Sequence, residues 1–275
     1  MNMLRYIIGG LAAISIFSST LCSAAVKVTP QLTQELMLKS GVKKQVEQLP
    51  KLVLYGMDQA LQNSQQSLPP DIHANLKLAV LSSFRAGPIL NKIQLNIENN
   101  LNKNEVEAIL QWLKSPLGEK ITKLEESAAT PSAYEAMEAM KEKLLQDSAR
   151  VKKIRKLDEA IKGTESLLYL AASTQKAITT SMAAELAPDD PDMFEQIVED
   201  TMGGRKQLES AIKDNTLVSL LSTYRALKDE EIDKYIDFAS SDLGRKYHKT
   251  IIDGINSGFL SASRDVGKLF VQALR

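Results

Sequence analysis

Two stretches of this chain, 101–121 (LNKNEVEAILQWLKSPLGEKI) and 227–247 (LKDEEIDKYIDFASSDLGRKY), align on each other without a gap. Leu101, Glu105, Ser115, Leu117, Gly118 and Lys120 recur as Leu227, Glu231, Ser241, Leu243, Gly244 and Lys246. Side-chain chemistry is kept at Val106/Ile232, Glu107/Asp233, Leu110/Ile236 and Trp112/Phe238. Upstream, Leu81-Ser82-Ser83-Phe84-Arg85 answers Leu221-Ser222-Thr223-Tyr224-Arg225, with about fourteen extra residues following in the first copy. Duplication at this separation implies two similar units, one in each half of the chain.

Each unit reads as helix, corner, helix. Asn102 with Glu105 fits a capping box, in which a polar side chain accepts from an exposed amide and the glutamate reaches back. Lys228 stands at the matching position of the second copy, so the cap there is expected to shift to Asp229. Val106, Ile109, Leu110 and Leu113 form an inward stripe at helical spacing. Ser115-Pro116 then stops one helix and starts the next, serine capping and proline in the first turn. In the second copy Asp242 replaces the proline and still suits the positive end of a helix. Gly118 and Gly244 lack a side chain at the same place, which lets neighbouring backbone come close.

The rest of the chain keeps the same period. No stretch carries several strands' worth of strict alternation, whereas apolar residues recur three and four apart in window after window. Thr29-Pro30, Thr130-Pro131 and Asp190-Pro191 read as helix starts, Gly41 as an end, and Gly87-Pro88 as a break. Pro50 is expected to kink or interrupt its helix, and 131 onward to run past Ile154 as one long connecting helix with a bend at Gly163. The fold class is therefore all-α, two related helical bundle units in tandem, at 26–129 and 130–275.

Residues 1–25 read as a secretory signal peptide: a basic start ending at Arg5, an apolar run from Tyr6 to Phe17, then small residues to Ala25. The apolar run is too short for a stable membrane span. Leu21 before Cys22 fits a lipidated cysteine badly, and cleavage near Ala24 removes the chain's one cysteine. A periplasmic or secreted protein is expected, held by packing and not by disulfides. Lysine plus arginine and aspartate plus glutamate both number 34. No net field therefore draws the chain to nucleic acid. The basic run from Lys141 to Lys156 has no interleaved aromatic residues and reads as a solvated helix face.

The repeated residues also resemble a known family. A tyrosine or phenylalanine followed by arginine, then an acidic helix, an aromatic residue and a Ser-Pro-x-Gly-x-Lys corner is similar to the exported bacterial family catalogued as domain of unknown function twenty-fifty-nine. In the second copy Tyr224-Arg225, Glu230-Glu231, Phe238, Ser241, Gly244 and Lys246 carry the resemblance, and in the first Phe84-Arg85, Glu105, Trp112, Ser115-Pro116, Gly118 and Lys120. It implies a small exported helical module in two tandem copies, and brings no activity or catalytic residue to transfer.

Motifs of chemistry are missing. His73 and His248 have no second ligand at metal spacing, and no phosphate loop or nucleophile elbow is present. No enzyme, metal or cofactor is expected. Arg85 and Arg225 could each offer a guanidinium fork to an anionic ligand, or could pin one helix to the next by pairing with Glu105 or Glu107 and with Glu231 or Asp233. Trp112, Ser115 and Gly118, with Phe238, Ser241 and Gly244, are expected to be structural. The leading reading is an interaction or scaffold protein for an envelope partner; the alternative is a carrier of a small apolar or anionic ligand, and a third is a holdase chaperone with an exposed apolar patch. The carrier's groove between the halves would be lined by methionines such as Met137, Met140, Met182 and Met193. An open cavity between the units favours the carrier; a filled seam favours the scaffold.

Overall fold

The computed structural model describes residues 26–63, 69–201 and 205–274; the leader expected at 1–25 lies outside them. Within the described residues the chain is helical without strands, apart from one isolated bridge between Lys27 and Asn102. The first half comprises α1 (Pro30–Lys39), α2 (Val42–Asn63), α3 (Pro70–Ser83), α4 (Ala86–Asn100), α5 (Lys103–Leu113) and α6 (Pro116–Ala128). Then come α7 (Pro131–Leu145), α8 (Ser148–Ile161), α9 (Gly163–Leu186), α10 (Pro191–Thr201), α11 (Arg205–Thr223), α12 (Asp229–Ser240) and α13 (Asp242–Ala273).

Local hydrogen bonds set most of these boundaries. Thr29 Oγ1 accepts from Leu32 N at 3.3 Å, Thr130 Oγ1 from Ala133 N at 3.3 Å and Asp190 Oδ1 from Met193 N at 3.0 Å, each satisfying an amide that the helix start leaves bare. Gly41 ends the first turn region at φ +71°, a conformation that suits glycine. The capping box is complete at Asn102: its side chain accepts from Glu105 N at 3.0 Å, and Glu105 accepts from Asn102 N at 2.8 Å.

Four expectations need correcting. Pro50 does not interrupt its helix, since α2 runs through it. Gly87 and Pro88 belong to the first turn of α4, where a missing amide proton costs nothing, and the break falls at Phe84 and Arg85. The long helix from 131 is cut after Leu145, because Asp147 caps a new start by accepting from Arg150 N at 3.0 Å. The second-copy cap stays at Lys228, whose amide donates to Glu231 at 2.7 Å, so the glutamate half of the box suffices there. The extra residues of the first copy are α4 itself, whose bounds fill the interval between Arg85 and Leu101.

The two corners, α5 to α6 and α12 to α13, are built alike. Ser115 Oγ accepts from Gly118 N at 3.1 Å and Ser241 Oγ from Gly244 N at 3.0 Å. The second helix of each corner buries its apolar face in the other copy's core. Tyr247, Ile251, Ala262 and Val266 of α13 join the cluster of Leu36, Val46, Ile89, Ile93, Ile97, Val106 and Ile109. Ile121 of α6 joins Ile154, Leu157, Leu217, Leu221, Ile232 and Ala239. The boundary expected between 129 and 130 therefore does not divide two hydrophobic cores. Along α13, a Cβ on Gly254 would stand 2.7 Å from Ile93 Cα and one on Gly258 3.0 Å from Ile89 Cα, so α4 lies directly on that helix.

Candidate functional site

The two corners meet through matched residues. Trp112 stacks on Phe238 with ring centroids 4.5 Å apart and planes 10° from parallel. On either side of that stack Lys120 pairs with Glu231 at 2.7 Å and Lys246 with Glu105 at 2.6 Å. Residue i of one copy touches j of the other while j touches i, which is the signature of a local twofold relation. Both glutamates keep their cap bonds as well. Burial pushes Glu105 up, but Lys246 and the Asn102 amide outweigh it and hold its carboxyl below the usual range. Lys120, then the Lys228 amide, hold Glu231 low in the same way.

The arginine pairings expected from sequence are not the ones formed. Arg85 is exposed, and no described residue hydrogen-bonds its guanidinium. Arg225 is exposed and donates to Ser222 Oγ at 3.4 Å. Both arginines follow a helix end at the surface, whereas the paired lysines sit a turn inside α6 and α13 and reach across the seam. Glu107 meets Lys103 of its own helix at 3.6 Å, and Asp233 meets Lys153 at 2.6 Å. The pinning arginine is Arg150 from the basic run: it donates to Asp229 at 2.6 Å and to the Tyr224 and Leu227 carbonyls, each at 2.7 Å. That part of the run is a clasp on the second copy, not a free solvated face.

Beside the aromatic stack the seam opens into a pocket of about 370 Å³, walled in part by Trp112, Tyr235, Phe238 and Tyr247. Glu125 of α6 enters it. Its Oε1 accepts from Tyr224 Oη at 2.7 Å and from Tyr235 Oη at 3.1 Å, and no described residue hydrogen-bonds its Oε2. Burial raises the Glu125 carboxyl above its ordinary range although the two tyrosines pull it back, and burial followed by the Glu125 charge pushes both phenols well up. The three residues therefore form a carboxyl group held through one oxygen by two phenol hydroxyls that donate to it. Among the described residues lining this pocket Glu125 is the one that carries a formal charge; no lysine or arginine reaches it.

The other copy shows that the fold does not require this trio. Carrying the alignment of 121 on 247 four residues further sets Ile251 against Glu125. The same alignments set Ile109 against Tyr235 and Phe84 against Tyr224. All three counterparts are hydrocarbon buried in the first cluster. Burying an ionisable carboxyl where hydrocarbon serves costs stability, so the trio is unexplained by packing.

His248 stands at the rim, lining both this pocket and a wider groove of about 710 Å³ between α9 and α13. Its ring lies 5.0 Å from that of Tyr247 and its Nε2 is shut off from solvent without a hydrogen-bond partner. Burial lowers it to about 4, so the imidazole is neutral at pH 7. Because the folded value lies below the unfolded one near ~6.5, stability is fully present above about pH 6.5 and falls as the solution is acidified toward about pH 4. From pH 7 to pH 5 the histidine should cost the native protein about 2 kcal/mol. Urea denaturation at the two pH values should show that loss in wild type and its absence in His248→Leu. Glu125, with its raised carboxyl, is common to both proteins and cancels in the comparison.

Sequence reasoning missed Glu125 and His248 as site residues, although the mismatch of Glu125 with Ile251 lies only four residues beyond the aligned copies. The methionines do not form the expected groove. Met137 and Met140 lie on α7, Met182 on α9 and Met193 on α10, and none lines the seam pocket. Among the described residues no group of three His, Cys, Asp or Glu side chains is placed to hold a metal ion.

No curated protein and no solved structure matches the chain. Residues 94–147, from within α4 through the first corner to the Asp147 cap, match the family described as "Uncharacterized protein conserved in bacteria (DUF2059)". The match corrects the expectation of two family copies in tandem, since 227–247 lies outside it. What the chain shares with that bacterial family is its first corner, once.

Proposed function

We propose that this is an exported, non-catalytic carrier that holds a small molecule in the pocket beside the Trp112–Phe238 stack. One observation carries the reading: Glu125, Tyr224 and Tyr235 place ionisable chemistry in an aromatic pocket at positions that the other copy fills with Ile251, Ile109 and Phe84. A pocket of about 370 Å³ also falls in the size range of small-molecule sites, about 300–1,000 Å³. Export rests on the leader pattern of residues 1–25, and no described helix is long and apolar enough to cross a membrane. Native mass spectrometry of protein purified from its host should reveal additional bound mass that is lost on denaturation. A clean mass of the bare chain would overturn the carrier.

A scaffold for an envelope partner is the second reading, favoured by Leu167 and Tyr169. They are 45% and 61% exposed on α9, and Tyr169 lines the wide groove. Pull-down from envelope extracts should recover a partner that Tyr169→Glu loses; recovery of nothing above background would remove this alternative.

A further inference from the structure

We propose that the molecule held beside the Trp112–Phe238 stack is a small organic cation, an alkyl- or arylammonium whose charge sits on Glu125 Oε2 and whose hydrocarbon lies among Trp112, Tyr235, Phe238 and Tyr247. This rests on the carrier reading and names its ligand class. The electrostatics point one way. The pocket has one formal charge, it is negative, and among the described residues no cation lines the wall to receive an anion. The polar partners are also unevenly shared: both tyrosine hydroxyls are spent on Oε1, which leaves Oε2 open to a donor from a ligand. Glu125 is half-buried with no counter-ion beside it, and a bound ammonium would supply both the opposite charge and a charge-assisted hydrogen bond to Oε2. Aromatic faces add to the same preference, because a cation is attracted to the negative face of an indole or phenol ring. The neighbouring charged groups do not substitute for a ligand: Lys44 is taken by Glu126 at 2.8 Å and Lys120 by Glu231 at 2.7 Å. His248 at the rim is neutral at pH 7.

Three near-isosteric probes separate the possibilities: benzylamine, benzyl alcohol and benzoate, titrated at pH 7 into the full mature chain stripped of bound mass. Trp112 is the sole tryptophan and lines the pocket, so its fluorescence reports occupancy alongside calorimetry. Benzylammonium should bind at least ten-fold more tightly than benzyl alcohol, and benzoate should bind more weakly than either. Glu125→Gln should abolish the ten-fold preference for benzylammonium over benzyl alcohol, while Glu125→Asp keeps a preference for the cation. If benzyl alcohol or benzoate binds as well as benzylammonium, the cation assignment is overturned and the carrier stands. If no probe binds and the protein from its host carries no extra mass, the carrier falls with it. Should Glu125→Gln fail to fold, the wild-type ranking of the three probes still decides.

Discussion

Replacing Gly118 by alanine should destabilise the protein by about 3 kcal/mol or more, and Gly244→Ala should do the same independently. Helix propensity alone predicts the reverse, since alanine inside a helix is favoured over glycine by about 1 kcal/mol. Sterics decide the sign. A Cβ on Gly118 would stand 2.2 Å from the Trp112 carbonyl oxygen and 2.9 Å from Leu113 Cα. On Gly244 it would stand 1.9 Å from the Phe238 carbonyl oxygen. Both obstacles are backbone, so no rotamer change relieves them, and the corner must open. Opening it strains the serine cap and tilts α6 or α13 out of the core that it fills. Urea denaturation measures the loss as a lower midpoint at unchanged slope. A midpoint that rises for either variant would mean that the corner is not closed as described.

The second large effect is expected at Trp112. Its ring and that of Phe238 pack against both hydrophobic clusters, so the stack joins the two cores. Trp112→Ala should cost about 3 kcal/mol, the low end for aromatic truncation because the residue is half-buried. Phe238→Ala should be less costly, and the double variant should fall short of additivity by about 1 kcal/mol, the coupling of a stacked pair. Strict additivity would show that the rings do not touch in solution. Trp112→Ala should also weaken binding of any seam ligand, whereas Gly118→Ala should act mainly on stability.

What was legible in the sequence follows from range. The caps at Thr29, Asn102, Ser115, Thr130, Asp190 and Ser241 each join residues three apart, so spacing reveals them. The serine-glycine corners were legible because both copies retain them. Pairings across more than a hundred residues were not: from the repeated acids and bases the arginines looked like the partners, whereas the seam places Lys120 on Glu231 and Lys246 on Glu105. Deciding between them needs the helix directions, which depend on where each corner's second helix finds cover. The Asp147 break was hidden because helical periodicity continues on both sides of it. Glu125 escaped notice for another reason. It lies just past the aligned block, and a glutamate within the charged tail of an amphipathic helix looks solvated until a facing helix buries it.

Crossed corners have a consequence for what evolution can write at their centre. In a homodimer of identical chains, any side chain beside the axis is obliged to appear twice, so a buried acid on one flank brings a second buried acid on the other. A single polypeptide carrying both corners escapes that bookkeeping. Glu125 can occupy one flank while Ile251 occupies its mirror position, and symmetry that serves architecture is broken only where chemistry benefits.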